Sequence, residues 1–298
     1  MRNYMKYIKL MRPANVVTAV ADILLGYAAS GAVGNIFSDD NYSYDNLIAL
    51  VISTMGLYAG GVVLNDVCDA KLDAVERPER PIPSGAVSLK KATVLGVLLL
   101  VVGIVAAFQA SVLSGMIALV ISFLVALYNA YGKHQLVFGP LNMGACRGMN
   151  VLLGVSAIPA MVSELWFISL ISILYIAAIT MISRGEVHGG SKKIIIAALF
   201  IYLMVVMSVV VLCSLPEYKM MYTLPFLLLF VYLTLLPLIE ALKKPKAMEI
   251  RKAVKACVLS LIALDAAMAA GFAGWEYGLV VLCLLPISIG LAKFFAVT

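Results

Sequence analysis

Three aspartates, one asparagine and two arginines crowd the run Asn65-Asp66-Val67-Cys68-Asp69-Ala70-Lys71-Leu72-Asp73 and its continuation to Arg77 and Arg80, at the end of a long apolar stretch. On a helix each residue advances roughly 100°. Asp66, Asp69 and Asp73, spaced three and four apart, therefore share one face, with Asn65 over Asp69. Carboxylates so placed repel one another unless a cation lies between them. Hard oxygen donors of this kind suit Mg²⁺, which completes its shell with water and substrate phosphate. Arg77 and Arg80 follow at a distance suited to gripping a diphosphate, because a guanidinium meets phosphate oxygens as a fork. The run also reads as a solvated acidic helix end followed by a basic loop. The asparagine, the paired arginines and the place at the end of an apolar run favour a metal–diphosphate site, with Asn65, Asp66, Asp69 and Asp73 as metal ligands and the three aspartates as catalytic groups.

The rest of the chain must hold this stretch at a membrane surface. Of 298 residues, 63% are hydrophobic and 13% charged, with mean hydropathy +1.03; soluble domains carry about 25% charged residues. This predicts an all-α polytopic membrane protein forming a single domain over 1–298. The net charge of +6 is not a nucleic-acid signal, because the basic residues lie in short loops between apolar runs. Cys68, Cys146, Cys213, Cys257 and Cys283 are scattered, without metal spacing or a disulfide framework. The first apolar run, Ala14 to Val33, exceeds a signal-peptide core and reads as a retained helix.

A span needs about 20 mainly apolar residues. Such runs fall near 14–33, 45–65, 92–108, 112–130, 140–160, 165–183, 193–213, 222–241 and 252–271, with a weaker tenth at 278–296 interrupted by Pro286. Nine to ten helices around a central cavity are expected. With the N-terminus in the cytoplasm, Arg2, Lys6, Lys9 and Arg12, the loops after the second and sixth runs, and the basic cluster Lys243 to Lys255 all fall inside. Outside falls only Lys219, beside Asp39, Asp40, Asp45, Glu164, Glu217 and Glu276. Lysine and arginine favour the cytoplasmic side, so this asymmetry fixes the orientation. The segment Gly34 to Asn46 reads as an exposed outer loop. The two long inner loops, four helices apart, are arranged as two four-helix halves.

Other polar groups lie within the apolar runs. Asn15, Thr18 and Asp22 form one stripe on the first; an intramembrane carboxylate faces a cavity or a partner. The stripe reads equally as substrate contact or as a hydrogen-bonded seam between helices. Asn142, Arg147 and Asn150 mark the fifth run. Arg147 needs an anion, and either a substrate diphosphate or Asp22 would serve. Asp265 in the ninth run reads as a helix–helix hydrogen-bond partner. Lys133 closes the fourth run within Tyr128-Asn129-Ala130-Tyr131-Gly132-Lys133, where a lysine beside interfacial tyrosines reads as a positive-inside anchor.

The run N-D-x-x-D-x-x-x-D from Asn65 to Asp73, with the R-P-x-R-P-I-P-S-G from Arg77 to Gly85, resembles the first aspartate-rich motif of the UbiA superfamily of intramembrane prenyltransferases. The wording around Asp73 to Arg80 and Ser183 to Gly190 is most like its EboC-like branch. The resemblance implies Mg²⁺-dependent transfer of a prenyl group from a prenyl diphosphate to a lipophilic acceptor, aromatic or otherwise, within the membrane. It places Lys133 near the diphosphate and the acceptor near Asn15, Asp22, Asn142 or Arg147. The family's second motif is D-x-x-x-D on the loop after the sixth span. Here that loop reads Thr180 to Lys193 without an aspartate, and Ser183 stands where the first is expected. Glu186 is the remaining carboxylate and the catalytic candidate, with Arg184 and His188 as candidate substrate contacts. This departure leaves open a binder or carrier of a lipophilic molecule that keeps the fold without the chemistry. An ion-coupled transporter ranks last, because matched broken-helix pairs are lacking.

Overall fold

The computed structural model describes residues 3–34 and 44–295. The expected outer loop around Asp39 and Asp40, like Arg2, therefore lies largely or wholly outside the described residues. The architecture is all-α. A short entry helix α1 (Asn3–Met11) leads to α2 (Pro13–Ala29), then α3 (Asp45–Cys68), the short α4 (Ala70–Glu76), α5 (Leu89–Ala110), α6 (Val112–Ala130) and α7 (Phe138–Val155). The second half runs through the one-turn α8 (Met161–Leu165), α9 (Ile168–Ser183), α10 (Lys192–Val211), α11 (Met220–Lys243), α12 (Ala247–Ala273), α13 (Trp275–Leu282) and α14 (Leu284–Phe294). Among the described residues seven helices are long and apolar enough to cross a membrane, α13 and α14 counting together as one, and α2 and α9 are shorter apolar helices. The weak tenth run is thus two helices meeting at Cys283.

The chain is a multi-pass membrane protein, and burial sorts its helices. In α12, 72% of the apolar window is buried, against 22% in α5 and 28% in α10. Helices α2, α7, α9 and α12 form the interior, and the exposed Leu, Val, Met and Phe side chains of the others suit contact with lipid. Apolar burial drives little association where the solvent is itself apolar, so close packing and hydrogen bonds take over. Gly56 and Gly60 let α3 lie against α5: a Cβ on Gly56 would stand 2.6 Å from the Leu99 carbonyl oxygen. Gly154 does the same for α7 against Ile23 of α2. Tyr175 of α9 donates to the Cys257 carbonyl of α12 at 2.8 Å.

Local chemistry sets the ends nearest the candidate site. Ser88 caps α5 by accepting from the Lys91 amide at 3.4 Å, and Ser191 caps α10 by accepting from the Lys193 amide at 3.3 Å. Arg12 separates α1 from α2 with φ 47 and ψ 66, a left-handed conformation uncommon outside glycine. The helical region is disfavoured before Pro13, and the turn is the result.

Candidate functional site

The polar stretch is nearly, but not fully, one helix. α3 ends at Cys68 and α4 begins at Ala70, yet the four-residue bonding continues through the joint. The Asp69 amide donates to Asn65, Asp73 to Asp69 and Arg77 to Asp73, at 2.9, 2.8 and 2.8 Å. Asp66, Asp69 and Asp73 therefore stay on successive turns. Beyond Arg77 the loop folds in tight turns, with the Arg80 amide bonded to Arg77 and the Val87 amide to Pro81. This brings Arg80 back over the aspartates. Its Nη1 lies 2.7 Å from Asp73 Oδ2 and 3.4 Å from Asp66 Oδ1.

Each aspartate meets a basic side chain. Arg12 Nη2 donates to Asp66 Oδ1 at 2.8 Å, and Lys133 pairs with Asp69. Arg80 bridges Asp66 and Asp73, where the sequence placed it on a phosphate. Among the described residues no three acidic, histidine or cysteine side chains are gathered to hold one metal ion. The expected metal cluster of Asp66, Asp69 and Asp73 is thus separate carboxylates, each balanced by an arginine or lysine. The donor chemistry still fits a hard divalent cation. Asp69 lines the mouth of one cavity, and Asp66 and Asp73 adjoin it through Arg12 and Arg80, which line it too.

The mouth opens into a cavity of about 390 Å³. Asn65, Asp69, Arg12, Arg77, Arg80 and Glu186 line its polar end. Leu57, Ile121, Val125, Ile176, Ile179 and Leu261 line its apolar part, and Asn15, Tyr58, Arg147 and Asn150 add polar groups to the wall. Glu186, from the loop after α9, stands 3.8 Å from Arg77 Nη2. Its Oε1 is buried without a hydrogen-bond partner among the described residues. Burial raises its pKa above the ordinary glutamate value, against the opposing pull of Arg77, Arg251, Arg12 and Arg80. Arg251 of α12 fixes this loop, donating from Nε to the Glu186 carbonyl at 2.7 Å.

Beyond Lys133, which is paired with Asp69 and does not line the cavity, four expected substrate contacts stand elsewhere. Asp22 is fully buried behind the wall, 2.6 Å from Arg147 Nε and 2.7 Å from the donating Asn150 Nδ2. Substrate is therefore not needed to balance Arg147, whose Nη2 also donates to the Thr18 carbonyl at 2.5 Å. Asn142 is spent on the end of α6: with its amide oriented so that donors meet acceptors, its nitrogen donates to the Leu124 carbonyl and its oxygen accepts from the Tyr128 amide, both at 3.1 Å. Arg184 is exposed and donates to the Gln135 carbonyl. His188 is exposed and is not among the residues lining the cavity. The loop between α9 and α10 turns both side chains away because Gly185 and Glu186 are its buried members.

Arg12, Tyr58 and Arg251 join or support the site without having been singled out. Arg12 stands beside Pro13 and three residues before Asn15, a cation at the mouth of a polar stripe. That was its available signal. Tyr58, whose ring centroid is 5.7 Å from the Arg147 guanidinium carbon, and Arg251, 65 residues beyond Glu186, had none.

A polar mouth of arginines and carboxylates thus lies above an apolar chamber enclosed by membrane helices. The UbiA prenyltransferase family model matches residues 19–262, and the chain belongs to that family. Digeranylgeranylglyceryl phosphate synthase of Methanococcoides burtonii is 33% identical over 152 residues, 50% of this chain and 53% of the relative. The match thus spans about half the length of that curated relative. A solved structure of digeranylgeranylglyceryl phosphate synthase is similar over 92% of this chain and 99% of its own, with TM-score 0.66 and 22% identity. A UbiA homolog from Archaeoglobus fulgidus bound to GPP and Mg²⁺ covers 93% of this chain and 99% of its own, with TM-score 0.58 and 14% identity.

Proposed function

We propose that this protein transfers a prenyl group from a prenyl diphosphate to a lipophilic acceptor within the membrane. The observation that carries the reading is the single cavity joining the Asp69, Arg77 and Arg80 mouth to an apolar chamber. A prenyl diphosphate has the same two parts, a charged head and an apolar tail. The relatives' name, and the neighbour bound to GPP and Mg²⁺, support the donor class.

In this reaction the allylic C–O bond breaks, diphosphate leaves, a bond from the acceptor to the prenyl carbon forms, and the acceptor gives up a proton. Arg77, Arg80 and Arg12 hold the diphosphate and take up its growing charge, since donors already in place need no reorganisation as the bond breaks. Asp66, Asp69 and Asp73, with Asn65, would hold Mg²⁺, which when bound neutralises the diphosphate and makes it a better leaving group. Lys133 then adjusts the charge at Asp69. Glu186 supplies the carboxylate that the loop otherwise lacks and positions Arg77. The apolar walls keep water from the allylic cation. The N-terminus and the polar mouth face the cytoplasm in this reading, supported by the lysine and arginine distribution.

One observation favours a second reading, a binder without chemistry. Ser183 occupies the second-motif position and spends its hydroxyl on the Thr180 carbonyl at 3.0 Å, leaving Glu186 alone to serve that side. The deciding experiment incubates purified protein with Mg²⁺, prenyl diphosphates of several lengths and a panel of lipophilic acceptors. Diphosphate release with prenylated product is expected. Tight binding without release under every combination would leave only the binder.

A further inference from the structure

Behind the cavity wall lie two carboxyl groups for which the reaction has no use. Asp22 of α2 and Asp265 of α12 are both 0% exposed, on helices that pack directly together. Each carboxyl group is the other's side-chain neighbour. Asp22 Oδ2 is fully engaged, meeting Arg147 Nε at 2.6 Å and accepting from Asn150 Nδ2 at 2.7 Å. Among the described residues, Asp22 Oδ1 and both oxygens of Asp265 receive no hydrogen from any other group. Among the described residues, Arg147 and, across it, Tyr58 are the other charged or titratable groups acting on this cluster.

Charge bookkeeping then gives one answer. Two ionised carboxylates and one guanidinium would leave an uncompensated negative charge among buried helices, where an unpaired ion is costly. Ionised carboxylates are also acceptors only, so two of them in contact have no hydrogen to share. One proton removes both problems. Asp22 has the arginine and the amide to stabilise its charge, whereas Asp265 has neither. We propose that Asp265 is held as the protonated acid and donates to Asp22, so that Asp22 carries the single charge matching Arg147 and keeps that guanidinium fixed in the cavity wall. Asp265 is thus a positioning residue acting through Asp22 and Arg147. The arrangement does not depend on which molecule the cavity receives.

The test is infrared spectroscopy of the purified protein in H₂O and D₂O at neutral pH, paired with thermal unfolding. Asp265→Asn keeps a hydrogen donor toward Asp22 but cannot be a carboxylic acid. Its difference spectrum against the parent should show loss of one protonated-carboxyl C=O band that shifts in D₂O. Its Tm should stay within about 2 °C of the parent, while Asp265→Ala, which leaves Asp22 without its donor, falls by more than about 5 °C. No such band lost in Asp265→Asn overturns the proposal, as does an Asp265→Asn Tm that falls as far as that of Asp265→Ala. If Asp265→Ala does not fold, the band in Asp265→Asn decides alone.

Discussion

Arg80 shows how one side chain can organise a site. Its Nη1 serves Asp73 and Asp66 together, residues seven apart that would otherwise repel. A lysine keeps the charge but offers a point ammonium in place of a planar fork. Arg80→Lys should therefore weaken prenyl diphosphate binding about tenfold, a loss on the scale of one charged hydrogen bond, while leaving Tm nearly unchanged. Isothermal titration in detergent checks this, and parental affinity in Arg80→Lys would reduce Arg80 to a structural bridge. Glu186 makes a prediction of opposite kind. Its folded-state pKa is raised, chiefly by burial, so the folded protein binds its proton more readily than the unfolded chain. The resulting stabilisation is fully present below the ordinary glutamate pKa and is lost as pH rises through the raised value. Glu186→Gln, which cannot ionise, should gain in Tm relative to the parent as pH rises through that window. It should also depress turnover at neutral pH, and the parent's activity should fall on acidification at a pH above the ordinary glutamate range. Thermal melts and rates across pH 4 to 8 measure both; a Tm difference independent of pH would remove the buried charge from the account.

At the scale of elements, the mouth is set by how closely helices approach. α3 carries Asn65 and Asp66, and its contact with α5 depends on Gly56 and Gly60. A methyl at Gly56 would meet Leu99 O at 2.6 Å and Gly103 N at 2.9 Å, both of them backbone. Backbone cannot swing aside as a side-chain tip can. Gly56→Ala should destabilise by about 1–3 kcal/mol, the usual cost of overpacking. It should also weaken diphosphate binding, although the substitution lies more than two turns from Asn65. Unfolding and titration of the same preparation test the coupling. Unchanged Tm would show that α5 yields freely. The α9–α10 loop is set differently, through Arg251 on α12 and through its glycines. Gly189 has φ +87, and a Cβ there would lie 3.0 Å from the Pro245 carbonyl oxygen.

For the whole molecule, the positive charges give a direction to the bundle. Lys6, Lys9 and Arg12 and the loops at 77–88, 184–191 and 244–246 belong to one side, with Lys219 and Glu217 on the other. This predicts that a cysteine placed at exposed Glu79, in a background with the five native cysteines replaced, resists an impermeant thiol reagent applied to intact cells. A cysteine at exposed Glu217 should react. Labelling at 79 with protection at 217 would invert the molecule.

By itself the sequence determined the helical class, the approximate spans and the stretch on which the chemistry depends. Those are short-range properties: hydropathy is a sum over about 20 residues, and Asn65 to Arg80 are adjacent along one helix and its loop. It also supplied Asp22 as a candidate partner for Arg147, since an intramembrane cation needs an anion. Tertiary structure alone decided which groups meet. Asp66 is joined to Arg12 across 54 residues and Asp69 to Lys133 across 64, pairings that no local period encodes. The return of the loop after Arg77, with the approach of Arg12 and Lys133 from other elements, turned three carboxylates on successive turns into separately balanced ions. His188, Arg184 and Asn142 had suitable chemistry and near-suitable positions along the chain. Their side chains are directed elsewhere, because the orientation of a loop residue or a helix face follows from which neighbours pack beneath it. That packing depends on backbone contacts between helices far apart in sequence, such as Gly154 with Ile23, and single-chain spacing carries no record of them.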